Sequence, residues 1–375
     1  MEFKGRFVSN AETYIFAGGG TGGHLYPAVA MAQRIKELRP QSYIRFVGTR
    51  RGLENRLIPE LGFPLSCVAV RGVTRSLTLK NILVPFVLIK GVVQCFSLLL
   101  KYKPNAVIGT GGYVSGPVVF SAALLGIPTL IQEQNSYPGL TTRLLSRWVK
   151  RVHISFEESR SYFKRTDNLV LTGNPVRKFE LSKNKKQACA KFGLNPDYPV
   201  LLVYGGSQGA HAINQALLDS LAELMTASSL QIIWSTGQAD YNAIQRAVKS
   251  YADRIWISAY ISDMEAAYRA ADMALTRAGA LTIAELTLAG VPSILVPYPY
   301  AAANHQYTNA RALEKNNACI VLMQDKLERL STELMSLLKD EQKRSQMAEA
   351  MRQSSFPNAT DEIVNSIFAI ARRDV

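Results

Sequence analysis

The feature that most constrains this chain occurs twice. Tyr14-Ile-Phe-Ala17 is a buried-strand pattern that runs into Gly18-Gly-Gly-Thr-Gly-Gly23-His24 and then a helix pattern from about Pro27 to Leu38. Val200-Leu-Leu-Val-Tyr204 runs in the same way into Gly205-Gly-Ser-Gln-Gly209, with a helix from about Ala212. A short apolar strand, a glycine turn and a helix start form the opening unit of a doubly wound parallel sheet. Two such openings about 185 residues apart require two sheets, because a single doubly wound domain opens once. The length of 375 residues agrees, being too great for one ordinary core. The fold expected is α/β, with two Rossmann-like domains facing a cleft. The first is expected over residues 1–176 and the second over 177–352, with a helix in 353–375 crossing back to the first.

Each half repeats the ligand-holding junction. In the first, Ala106-Val-Ile-Gly-Thr110 leads into Gly111-Gly-Tyr-Val-Ser-Gly-Pro117, and Pro128-Thr-Leu-Ile131 into Gln132-Glu-Gln-Asn135. In the second, Ala274-Leu275 ends in Thr276-Arg-Ala-Gly-Ala-Leu-Thr-Ile-Ala-Glu285. Glycine turns opening onto helix N-termini present backbone N–H groups and a positive dipole end, which suits phosphate. Glu285, one turn into its helix, can accept hydrogen bonds from two neighbouring sugar hydroxyls. Diphosphate and sugar together indicate a nucleotide sugar. The blander reading of the first glycine turn is that it only lets helix and strand approach closely. A dinucleotide oxidoreductase would want an acid after the second strand, where Arg50 and Arg51 stand instead. Those arginines suit only a 2′-phosphate, and no hydride chemistry follows.

Charge is distributed unevenly. Residues 1–175 hold 22 of the 43 Lys and Arg but 9 of the 29 Asp and Glu, a formal +13 against +1 for the remainder. A one-sided positive field points to an anionic membrane surface, since no nucleic-acid module is present. Residues 82–100 form an amphipathic helix pattern interrupted by Pro85, Lys90, Gly91 and Gln94, so a span is not expected. Its stripe Ile89, Val93, Phe96 and Leu100 is expected to pack on the sheet. Val84, Phe86, Val87 and Leu88, near Arg71, Arg75, Lys80 and Lys90, are left for a membrane surface. The N-terminus has no apolar run of signal-peptide type, and Cys67, Cys95, Cys189 and Cys319 have no paired spacing, both consistent with a cytoplasmic setting and no metal. Asp-x-Asp occurs nowhere in the chain.

These segments resemble the motifs of nucleotide-sugar glycosyltransferases of the two-Rossmann-domain (GT-B) type. They are most similar to the family that adds N-acetylglucosamine to a lipid-linked muramyl pentapeptide. That resemblance implies an inverting transferase using UDP-N-acetylglucosamine, with undecaprenyl-linked muramyl pentapeptide (lipid I) as acceptor and no required cofactor. It implies a peripheral place on the cytoplasmic membrane face, with other wall-synthesis proteins as partners. It turns the two glycine loops toward the acceptor diphosphate, with Gly20, Gly111, Gly112, Tyr113, Ser115 and Glu133 on the acceptor. For the donor it implies Thr21, Gly22, Gly23, Asn135, Arg177, Ser207, the backbone of Ile261, Ala280, Leu281, Thr282, Ile283, Ala284, Glu285 and Gln306. His24, beside a glycine loop and with histidine's ordinary pKa near the working pH, is the candidate base; orienting a phosphate or capping the helix is its plainer role. The sequence departs from the family at Ala303, where Asp is common. A diacylglycerol glycosyltransferase shares fold and donor site, and a non-catalytic sugar-nucleotide sensor would retain the fold alone.

Overall fold

Among the described residues thirteen strands form from short apolar runs, and the central ones, Thr13–Gly18 and Val200–Tyr204 among them, are buried on both faces, as parallel strands covered by helices must be. The computed structural model describes residues 11–70, 84–176, 184–206 and 208–371, with backbone only for 84–88. It divides into two units, the first of residues 1–177 with 358–375 and the second of 178–357.

In the first unit the strands are β1 (Thr13–Gly18), β2 (Tyr43–Gly48), β3 (Leu65–Cys67), β4 (Ala106–Gly111), β5 (Thr129–Glu133), β6 (Arg151–Ile154) and β7 (Leu169–Leu171). They lie parallel in the order β3-β2-β1-β4-β5-β6-β7. Side chains alternate between the two covered faces. Tyr14, Phe16, Ile44, Phe46 and Ile108 meet the Gly22–Leu38 and Ala359–Ala371 helices on one face. Ile15, Ala17, Val47, Val107 and Ile131 meet the Val84–Tyr102 and Gly112–Leu124 helices on the other.

The second unit holds β8 (Val200–Tyr204), β9 (Gln231–Ser235), β10 (Ile255–Ser258), β11 (Met273–Thr276), β12 (Ser293–Leu295) and β13 (Cys319–Val321). Their order is β10-β9-β8-β11-β12-β13, again parallel. In each sheet the strand order reverses once, between β1 and β4 and between β8 and β11. Ligands of open α/β sheets bind outside the strand C-termini at that reversal, where neighbouring loops diverge. The glycine loops after β1 and β4, the glycine loop after β8 and the Ala278-Gly-Ala280 turn after β11 stand at those two points.

The helix of residues 84–102 differs from expectation. Cys95 and Leu99 face the sheet, whereas Ile89, Val93 and Leu100 are 62%, 61% and 60% exposed. Gly91 explains the choice. A Cβ there would lie 2.3 Å from the Ala69 carbonyl oxygen, so the helix approaches the 69–70 backbone along its Gly91–Cys95–Leu99 side. Gln94 also points that way and accepts the Ala69 N–H at 2.7 Å. The residues Arg71, Arg75, Lys80 and the side chains of Val84, Phe86, Val87 and Leu88 lie outside the described residues. Among the described residues no helix is long and apolar enough to cross a membrane.

Candidate active site

In the first unit the helix after β1 begins at Gly22, five residues before Pro27. The Thr21 carbonyl accepts the N–H groups of His24 and Leu25, so His24 belongs to the first helical turn rather than to the loop. Thr21 Oγ1 lies 3.2 Å from His24 Nδ1. The imidazole rests on Gly111, whose Cβ, if present, would lie 2.6 Å from His24 Cδ2. Gly111 has φ +103° and Gly112 φ +74°, and a Cβ on Gly112 would meet the Gly19 carbonyl at 2.4 Å. Only glycine permits this back-to-back packing, which brings Gly20, Thr21, Gly22, Gly23, His24, Gly111 and Gly112 to one place. Tyr113 beside them is exposed.

A residue invisible to sequence reasoning holds this loop. Glu54 is fully buried, and its carboxylate accepts from the Gly20 N–H at 2.9 Å, the Thr49 N–H at 2.8 Å and the Thr49 hydroxyl at 2.8 Å. Burial alone would raise its pKa, but these donors hold it below the ordinary carboxylate value. The Gly20 N–H is therefore already committed to Glu54, and what Gly20 offers a ligand is space.

At the ends of β5 and β6 lies a buried amide network. Gln132 Nε2 donates to Asn174 Oδ1 at 3.0 Å and to Ser155 Oγ at 3.1 Å, while Gln134 Nε2 donates to the Thr110 carbonyl at 2.9 Å. Glu133 is buried and receives the N–H groups of Asn135 and Gly139, each at 3.2 Å. Burial raises its pKa, against these hydrogen bonds and that of Thr142. It thus shapes the 135–142 loop, with Asn135 half-buried at the rim. Ser115 is buried beneath β4, where a Cβ on Gly109 would come within 2.5 Å of its Oγ.

In the second unit β11 is followed by Arg277, Ala278 and Gly279, and the Ala280–Ala289 helix starts without a side-chain cap. Its internal bonding begins with the Ile283 N–H on the Gly279 carbonyl at 2.9 Å, so the N–H groups of Leu281 and Thr282 precede it at the positive helix end. Ala284 and Glu285 follow in the second turn, half-buried. Tyr268, on the neighbouring Met264–Ala270 helix, donates its hydroxyl to Glu285 Oε2 at 2.7 Å. Asp263 caps that helix by accepting the Ala266 N–H at 3.0 Å, and Ile261 is buried just ahead of it. Gln306 Oε1 accepts the Tyr298 N–H at 2.9 Å and so ties down the 298–305 loop. In that loop Ala303 and Asn304 both take left-handed backbone, with φ 51° and 55°. An Asp at 303 would tolerate this conformation better than Ala does. Arg177 and Ser207 lie outside the described residues. Gly206 and Gly209, flanking Ser207, have φ +88° and +81°, and a Cβ on Gly209 would lie 2.3 Å from the Thr236 carbonyl.

Glu54, Asn174, Tyr204 and Tyr268 escaped the sequence reading. Only Tyr204 carried a local signal, as the polar end of an otherwise aliphatic strand.

Comparison with known proteins identifies the family and the fold. The glycosyltransferase family 28 N-terminal domain matches residues 14–154, and the family 28 C-terminal domain matches residues 200–363. A Chlorobaculum parvum protein named UDP-N-acetylglucosamine–N-acetylmuramyl-(pentapeptide) pyrophosphoryl-undecaprenol N-acetylglucosamine transferase is 46% identical over 365 residues, covering 96% of this chain and 99% of its own length. A protein of the same name from Acetivibrio thermocellus is 42% identical over 94% of this chain and 96% of its own. The crystal structure of Acinetobacter baumannii MurG superposes with a TM-score of 0.77 at 32% identity, over 96% of this chain and 99% of that one. The kitacinnamycin glycosyltransferase, at 14% identity and a TM-score of 0.68 over 96% of this chain and all of its own, shares the fold.

Proposed function

The chain belongs to glycosyltransferase family 28, among the enzymes that transfer N-acetylglucosamine from UDP-N-acetylglucosamine to the undecaprenyl-linked muramyl pentapeptide, and from that membership we propose how its own residues carry the reaction. It is a hexosyltransferase that makes lipid II from lipid I by glycosylating the 4-hydroxyl of the muramyl group. The observation that carries the residue-level reading is the helix start after β11, at the strand-order reversal, with Glu285 one turn in.

The donor diphosphate lies at the N–H groups of Leu281 and Thr282, joined by Ser207 and Arg177. Glu285 accepts from the ribose hydroxyls, the Ile261 backbone reads uracil, and Gln306 and Asn135 read the sugar. In the first unit Gly20 and Gly111–Gly112 take the acceptor diphosphate, with Tyr113 beside it, while Thr21, Gly22 and Gly23 belong to the donor, and Ser115 and Glu133 hold the shape of those loops. His24 removes the proton of the muramyl 4-hydroxyl as its oxygen attacks the anomeric carbon. The bond to the diphosphate breaks in the same step, UDP leaves with the electron pair, and the configuration inverts from α to β. The Thr21 hydroxyl orients the imidazole. Charge on the departing diphosphate is met by the helix N-terminus and Arg177, which is the work that an Asp-x-Asp-bound metal does elsewhere.

Membrane docking falls to the first unit. Ile89, Val93 and Leu100, together with Leu124, Leu140 and Leu144, are exposed apolar residues on helices that pack against one another, and exposed Trp148 lies in the turn after the last of them. No Asp or Glu occurs in residues 84–124 or 134–156, while Lys90, Lys101, Lys103, Arg147 and Lys150 are exposed among them. Apolar groups dipping below basic ones suit an anionic, cytoplasmic-face bilayer surface where donor and lipid acceptor meet.

The test is transfer from radiolabelled UDP-N-acetylglucosamine to a short-chain lipid I analogue or to diacylglycerol, each with and without EDTA. Label is expected on the lipid I analogue alone, undiminished by EDTA, and lowered roughly 100- to 10,000-fold in His24→Ala. Label on diacylglycerol would overturn the acceptor assignment, and label on neither would leave a sensor. His24→Ala retaining turnover within a fewfold would dismiss the base.

A further inference from the structure

The second unit contains a buried chain of hydroxyls that the reaction itself does not use. Tyr204 closes β8 and Tyr268 lies on the helix that precedes β11, both buried. Their hydroxyls are 2.8 Å apart, and that of Tyr268 is 2.7 Å from Glu285 Oε2. The direction of this chain follows from proton counting. An ionised carboxylate only accepts, so Tyr268 spends its one proton on Glu285 and must itself accept from Tyr204. The side chains of Thr276 and Thr282 also hydrogen-bond with Tyr204. Burial, then the neighbouring phenol and carboxylate, push the Tyr268 pKa well above its ordinary value, so the proton stays on the phenol.

We infer that Tyr268, backed by Tyr204, is the positioning residue that fixes the Glu285 carboxylate for the ribose hydroxyls of the donor. The inference rests on the reading of Glu285 as the ribose acceptor. A glutamate on a half-exposed helix face has three rotatable side-chain bonds, and ordering them only when the ligand arrives weakens binding. A phenol has two, and here the ring is enclosed by the core. Tying one carboxylate oxygen to it settles the rotamer beforehand and leaves lone pairs on the carboxylate for a diol. Because Thr282 also belongs to the first turn offered to the diphosphate, the same chain links the ribose and phosphate ends of the site.

The experiment measures calorimetric affinity for UDP and for 2′,3′-dideoxy-UDP in the full chain and in Glu285→Ala, Tyr268→Phe and Tyr204→Phe. The unaltered protein is expected to prefer UDP by about tenfold or more, as for a hydrogen bond to a charged group. Glu285→Ala brings the two ligands within about twofold of each other. Tyr268→Phe does the same while keeping its affinity for the dideoxy ligand within about twofold, and it raises KM for UDP-N-acetylglucosamine more than it lowers kcat. Tyr204→Phe loses part of the preference, to about threefold. Full preference persisting in Glu285→Ala overturns the ribose reading and this inference with it. Preference lost in Glu285→Ala but intact in Tyr268→Phe overturns the inference alone, as does an equal loss of affinity for both ligands in Tyr268→Phe. Should Tyr268→Phe not fold, Tyr204→Phe decides, and an unchanged preference there overturns the inference.

Discussion

His153 sits in β6 between Val152 and Ile154, with the Thr172 hydroxyl 3.2 Å from its Nδ1 and its Nε2 buried without a hydrogen-bond partner. Burial first, and then Arg151, push its pKa down to about 4 from an ordinary 6.5. The folded imidazole thus refuses a proton that the unfolded chain accepts between those two values. The sign follows: its stability contribution is complete above the unfolded pKa and is lost as pH falls toward the folded one, by on the order of 3 kcal/mol. Urea unfolding read by hydrogen exchange of residues 151–154 should show the first unit weakening from pH 6.5 to 4, and His153→Asn should flatten that slope. An unchanged slope in the variant would assign the acid sensitivity elsewhere. The sequence set His24 apart by its glycine loop but gave this histidine no role. Their roles separate only because one alternates into a sheet face and the other follows a glycine turn. Glu54 was illegible for a related reason, since its ligands Gly20 and Thr49 come from different loops and meet it only after the sheet has formed.

Among the elements, the Val84–Tyr102 helix shows where pattern reading stops. Its existence and extent were plain from the apolar run, yet two apolar sets at helical spacing compete for the sheet: Ile89, Val93, Phe96, Leu100 and Gly91, Cys95, Leu99. Hydrophobicity favours the first. Close approach favours the second, because Gly91 lets the helix backbone reach the Ala69 carbonyl, and contact with the sheet outweighs average hydropathy. The glycine loops, by contrast, were legible because their requirement is local: β1 and β4 pair Gly18 with Gly111, and Gly18, Gly19, Gly111 and Gly112 have no room for side chains. The outward stripe makes a clean test. Val93→Glu with Leu100→Glu should leave the thermal midpoint within about 2 °C, as surface substitutions do, and lower sedimentation with anionic vesicles at low salt at least severalfold. Vesicle binding that survives both changes would move the docking surface off this helix.

For the whole molecule, the repeated strand–glycine turn–helix unit called for two sheets, and the parallel strands of each take an order that reverses once. The late return of the chain to the first unit depends on more than local pattern. The Ala359–Ala371 helix places Ile363, Val364 and Ile367, each fully buried, and Phe368 against Tyr14, Phe16 and Ile108. Arg34 pairs with Asp361, the Arg39 guanidinium lies 3.6 Å from the centre of the Phe368 ring, and Thr360 donates to the Val176 carbonyl at 3.0 Å. At roughly 1.5–3 kcal/mol for each of the four large side chains, removing them exposes an amount comparable with the whole stability of a domain, about 5–15 kcal/mol. A chain ending at Pro357 should therefore lose hydrogen-exchange protection throughout β1, β2 and β4 while β8, β9 and β11 stay protected. Calorimetry should show one lost transition and one retained. Protection of β1 persisting in the shortened chain would mean that the helix covers a face that the Gly22–Leu38 helix closes unaided, whereas loss of protection in both sheets would mean that the second unit needs a folded first unit.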